Sequence, residues 1–167
     1  MIKKINQLIF ASAILLHVSG CSLVQANTQH PKGYETYITP GEQFKHSSFS
    51  TINNDIVELG DTRKLIILFA TWCSDSQRTL KELQASPLIN DPTIQIIAIG
   101  RNEQRETLEE FNQEYNLPFA LVADPSREIY SQYANAGIPR LILLDKSNNV
   151  VKTLIGEQPN IIDELNW

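Results

Sequence analysis

The run Lys64-Leu65-Ile66-Ile67-Leu68-Phe69-Ala70 constrains the fold more than any other stretch of the chain. It is continuously apolar after Lys64, which suits a strand buried on both faces rather than one with a wet side. Thr93-Ile94-Gln95-Ile96-Ile97-Ala98-Ile99 is a second strand of the same kind. Between them a helix is expected from Cys73 through Leu83, with Leu80 and Leu83 on one face. Asn102 through Tyr115 also has helical spacing, and Leu108, Phe111 and Tyr115 form its core stripe. Phe119–Val122 reads as a short strand, and Asp124-Pro125 opens a helix expected over Ser126–Tyr133. Pro139–Asp145 then forms a strand that Ser147-Asn148-Asn149 turns into its partner, Val150–Ile155. Upstream, Phe49–Ile52 and Ile56–Leu59 flank Asn53-Asn54-Asp55 as a hairpin, and Ile161–Leu165 closes the domain with a helical turn or two. The pattern predicts one α/β domain with a mixed central sheet flanked by helices and an N-terminal hairpin.

The length of 167 residues supports one domain plus extensions. The extension lies at the N-terminus. Lys3 and Lys4 precede the apolar run Leu8–Leu16, which is too short to span a bilayer comfortably and reads as a secretory signal. The run ends in Val18-Ser19-Gly20-Cys21, which resembles the bacterial lipobox. That resemblance implies removal of residues 1–20, lipidation of Cys21, and a protein anchored to a bacterial membrane, facing the periplasm or the cell surface. From Cys21 to about Lys45 the chain is polar and carries Pro31, Gly33, Pro40 and Gly41, so residues 21–45 read as a tether and 46–167 as the domain. The net charge of -5 becomes more negative once Lys3 and Lys4 are lost, which argues against nucleic acid as a partner. Membrane contact then falls to the lipid on Cys21.

Phe69-Ala70-Thr71-Trp72-Cys73 follows the first buried strand and opens a helix, and Gly137-Ile138-Pro139 precedes a later strand. Together these resemble the active-site loop and the cis-proline loop of the thioredoxin-like superfamily, in its membrane-anchored thiol–disulfide reductase and redoxin branch. The resemblance covers roughly Phe49 to Leu165 and implies a thioredoxin-like fold with a helix–strand insertion before Pro139. It also implies a nucleophilic Cys73 beside Trp72, and a peptide-binding edge at Ile138 and Pro139. The pattern departs from the family at Ser76, where a second cysteine usually stands, and at Lys81, where the branch often has a helix-kinking proline.

The departure at Ser76 sets the chemistry. The chain has two cysteines, so a lipidated Cys21 leaves Cys73 as the only free thiol and excludes an intramolecular disulfide. A thiolate at a helix N-terminus is a competent nucleophile, while Asp75 nearby disfavours it electrostatically. Ser76 is able to donate a hydrogen bond to the sulfur but not to release a mixed disulfide. Attack without internal release requires an external resolving thiol, and the substrates implied are envelope proteins with thiols or disulfides. The alternatives are a redox-inactive binding module, a mixed-disulfide trap and, more weakly, a thiol peroxidase, for which Ala70 and Ile66 stand in place of the usual threonine or serine and proline. No cofactor is implied. The three histidines, His17, His30 and His46, have no metal-ligand spacing.

Overall fold

A computed structural model describes residues 33–167. The signal sequence, Cys21 and the first part of the expected tether lie outside the described residues. The strands are β1 (Ser48–Ser50), β2 (Ile56–Glu58), β3 (Arg63–Phe69), β4 (Ile94–Arg101), β5 (Ala120–Asp124), β6 (Arg140–Leu144) and β7 (Val150–Ile155). The helices are α1 (Ser74–Ala85) and α2 (Arg105–Tyr115), and short 3-10 turns lie at Pro87–Asn90, Tyr130–Gln132 and Ile161–Glu164. β1 and β2 form the expected hairpin, with Phe49 opposite Val57. The other strands make one sheet in the order β5-β4-β3-β6-β7. β3, β4 and β5 run parallel, and β6 and β7 are antiparallel additions, so the sheet is mixed.

The continuous apolar pattern of β3 is explained by its central place. Alternate residues feed two cores: Leu65, Ile67 and Phe69 meet Leu80, Leu83, Leu108 and Phe111, while Ile66 and Leu68 meet Tyr130, Tyr133 and Ile142. Lys64 is fully buried in this strand, and its Nζ donates to the carbonyls of Asp145 and Lys146. Burial pushes its ammonium below the ordinary lysine range. α1 runs unbroken past Lys81, whose Nζ lies 4.9 Å from the ring centroid of Tyr115.

Two expectations are corrected. No α-helix forms over Ser126–Tyr133. The buried Asp124 carboxylate accepts the amides of Ile129 and Tyr130, and Arg127 adopts a left-handed φ of 63°, so only the turn Tyr130–Gln132 remains. The segment up to Lys45 is also not free tether throughout. Ile38 and Phe44 are buried in the second core, and Gly41 and Phe44 donate backbone hydrogen bonds to Val150 and Asn148. Scattered apolar residues without periodicity hid this docking, because an irregular strap leaves no repeating signature. The packed domain therefore begins about ten residues before His46.

Candidate active site

The C-terminal end of β3 leads through Ala70, Thr71 and Trp72 into α1, and Cys73 occupies the N-cap of that helix. Its amide donates to the Ala70 carbonyl at 3.2 Å, closing the turn that lifts Cys73 off the sheet. The thiol is partly exposed, and its Sγ lies 3.7 Å from the Ile138 carbonyl oxygen. The Ile138–Pro139 peptide is cis, and Pro139 is buried. Cys73, Ile138 and Pro139, more than sixty residues apart in the chain, thus form one site. Trp72 projects beside them with 67% of its surface exposed.

Ser76 is fully buried in the first turn of α1. Its Oγ accepts from the Ala70 amide at 3.3 Å, and no hydrogen bond joins it to the Cys73 sulfur. The first turn of α1 folds back over the end of β3, which directs this side chain to the backbone. Asp75 is ion-paired with Arg78, whose guanidinium also donates to the Gly156 carbonyl at 2.9 Å. The carboxylate that opposes a thiolate at Cys73 therefore has a cation beside it.

Several residues that build the site were not legible beforehand. Thr71 is clamped on three sides: Glu103 Oε1 accepts its amide at 2.8 Å and its hydroxyl at 2.7 Å, and Gln77 Nε2 donates to its carbonyl at 2.7 Å. Glu103 is 5% exposed and spends this buried carboxylate on the loop that carries Trp72 and Cys73. Its position at the edge of a helical pattern gave no signal of that role. Arg140 is buried directly after Pro139 and donates to the carbonyls of Ala136, Gly137 and Glu35 and to Thr36 Oγ1. A charged residue inside an apolar strand pattern was the only available hint. Tyr130 donates its hydroxyl to the Gly137 carbonyl at 2.8 Å.

Gly156 donates its amide to the Pro139 carbonyl, and a Cβ there would lie 2.7 Å from Pro139 Cγ and 3.1 Å from Thr79 Oγ1. Only glycine lets β7 end this close to the proline. The ring of Tyr34 covers Gly137, and the Glu157 carboxylate beside its phenol holds that phenol above the ordinary tyrosine range.

A partly exposed cysteine at a helix N-cap and a facing cis-proline meet at the end of a buried strand, on a thioredoxin-like frame. Residues 62–150 match the model of the thioredoxin-like family, and the chain belongs to that family. Among curated relatives, the thiol-disulfide oxidoreductases ResA of Bacillus thuringiensis and Bacillus anthracis are each 26% identical over 162 residues, covering 93% of this chain and 91% of theirs. Among solved structures, a proposed protein disulfide isomerase of Bacteroides thetaiotaomicron superposes with a TM-score of 0.70 at 20% identity, over 77% of this chain and 86% of that one. StoA of Bacillus subtilis superposes with a TM-score of 0.56 at 20% identity, over 70% and 92%. Among the described residues no helix is long and apolar enough to cross a membrane.

Proposed function

We propose that this protein is a thiol–disulfide oxidoreductase that works with one sulfur, Cys73, and hands release of its mixed disulfide to an external thiol. The observation that carries the reading is the Cys73 Sγ poised 3.7 Å from the Ile138 carbonyl, partly exposed at the N-cap of α1. A thiolate there meets the helix dipole, and the edge at Ile138, held by the cis-proline, offers backbone groups to an extended peptide. The kinship with ResA proteins supports the reaction class. The thiolate attacks one sulfur of a substrate disulfide, a Cys73–substrate disulfide forms, and the electron pair leaves with the substrate's other sulfur. Ser76 has no sulfur with which to continue, so the next electrons come from outside.

The envelope reading belongs to the same proposal. The Val18-Ser19-Gly20-Cys21 tetrad supports removal of residues 1–20 and a lipid on Cys21, with envelope proteins as substrates. A second reading, a trap that holds substrate without turnover, is favoured by Ser76 itself. The intact chain incubated with a small disulfide and followed by mass spectrometry separates them. An adduct on Cys73 that clears when a thiol is added supports turnover, and Cys73→Ser gives no adduct at that position. An adduct that persists makes the protein a trap. No adduct in the parent chain overturns the enzymatic reading in favour of a binding module.

A further inference from the structure

The peptide edge at Ile138 continues into a rim that the N-terminal strap helps to build. The half-buried ring of Tyr34 lies against Gly137: a Cβ placed on that glycine would meet ring atoms Cδ2, Cγ and Cε2 at 3.2, 3.3 and 3.4 Å. The Cα atoms of Gly137 and Ile138 are one peptide, ~3.8 Å, apart. The Ile138 carbonyl oxygen is in turn 3.7 Å from the Cys73 sulfur. Both neighbours of Tyr34 are tied to the segment that leads into the cis-proline. Asn135 Oδ1 accepts the Glu35 amide at 2.7 Å, and Asn135 Nδ2 donates to the Gly33 carbonyl at 2.9 Å. The phenol end of Tyr34 reaches the far side of Pro139. It lies beside the carboxylate of Glu157, the residue after Gly156, whose amide donates to the Pro139 carbonyl at 2.8 Å.

The charges along this rim are not equally engaged. Asp75 is ion-paired with Arg78. Arg140, whose charge Tyr34 also feels, is buried and donates to carbonyls and to Thr36. Glu157 is exposed and has no cation within ion-pair distance among the described residues. The Ile138 amide makes no hydrogen bond among them either, so backbone pairing is open at that residue. An extended peptide paired there repeats its side chains on one face every ~7 Å. A side chain two residues from the reacting cysteine therefore passes Gly137 and arrives at Tyr34. An aromatic ring beside an unneutralised carboxylate is the combination that receives a guanidinium or ammonium group, by cation–π attraction and ion pairing together.

We propose that Tyr34 and Glu157 form a specificity subsite for a basic side chain of the substrate polypeptide, an arginine or lysine two residues from the cysteine whose disulfide Cys73 attacks. This inference rests on the one-sulfur reading above and deepens it. The exchange at sulfur is the one already given, and the subsite selects which disulfides are presented to it. Ile138 holds the peptide backbone, and the strap, through Tyr34, reads the side chain.

The test uses the intact chain and two short peptides, each with one cysteine held as its mixed disulfide with 2-mercaptoethanol. One peptide carries arginine two residues before and two residues after the cysteine, and the other carries glutamate at both places. Formation of the Cys73–peptide adduct is followed by intact mass, and each rate is divided by that peptide's rate with free 2-mercaptoethanol. The arginine peptide is expected to react about fivefold faster than the glutamate peptide. The ratio should fall to near one in Glu157→Gln, fall in part in Tyr34→Leu, and persist in Glu110→Gln, which removes an exposed acid of α2. Equal rates in the parent chain overturn the subsite. A ratio that survives Glu157→Gln also overturns it and assigns the preference to the net charge of the chain. A second measurement needs no sulfur: the arginine peptide with serine in place of its cysteine, titrated into the Cys73→Ser chain, should shift the Tyr34 ring resonances in NMR spectra. No shift overturns the subsite even where Cys73 reacts. Failure of either adduct to form, with the NMR shifts present, overturns the one-sulfur reading and leaves the subsite standing.

Discussion

The two walls of the Cys73 site are built in different ways. The nucleophile wall is mostly local: β3 delivers the loop, Cys73 turns back onto Ala70, and Ser76 ties α1 to the same residue six positions earlier. The proline wall is assembled from distant chain. Arg140 reaches Glu35 and Thr36 more than a hundred residues away, Tyr34 covers Gly137, and Gly156 closes behind Pro139. A local wall forms as soon as its strand and helix form. A wall of long-range bonds depends on every partner being docked, and it is the more vulnerable of the two.

Arg140→Ala attacks that weakness most directly. It strips hydrogen bonds from the carbonyls of Ala136, Gly137 and Glu35 inside the protein, and a loss of about 4 kcal/mol is expected at ~1–3 kcal/mol per stranded group. Urea denaturation reads this loss. A loss under ~1 kcal/mol would show that the proline wall stands without the strap. Gly156→Ala presses a methyl against Pro139 and is expected to cost about 2 kcal/mol, with slower covalent capture by Cys73. Stability loss without slowed capture would separate this contact from the site. On the nucleophile wall, Glu103→Ala releases Thr71 and is expected to cost about 1.5 kcal/mol, while Glu103→Gln retains an acceptor and recovers most of it. Equal losses for the two variants would mean that the negative charge, not the hydrogen bonds, is what Thr71 requires.

The smallest effect lies away from both walls. His46 is packed against Phe44 and Phe49, and burial, partly opposed by Asp124, lowers its pKa from the ordinary 6.5. The Tyr133 phenol, driven far up by burial, is hydrogen-bonded to His46 Nδ1. The unfolded chain then binds the extra proton more readily, so stability falls as the pH drops through and below 6.5. His46→Gln should flatten that part of the stability–pH curve. An unchanged slope would assign it to other groups.

This division also explains what was readable from the chain. β3, β4, α1 and α2 carry strong periodicity, and Phe69–Cys73 with Gly137–Pro139 marked in the sequence the two loops that meet at Cys73 and Ile138. The strap through Ile38 and Phe44 was missed because its apolar residues are spaced by the irregular surface they cover. The lost helix over Ser126–Tyr133 was missed because one buried side chain, Asp124, takes the amides that would have started it. Glu103, Arg140 and Gly156 act on the site only through contacts across the fold, and a linear pattern does not record such contacts.

The central claim is that folding makes Cys73 a working nucleophile. The direct measurement is the rate of adduct formation with a small disulfide, by intact mass, for the folded chain and for the same chain unfolded in denaturant at equal pH. A clearly faster reaction is expected in the folded protein, confined to Cys73. A folded rate no higher than the unfolded one would contradict it.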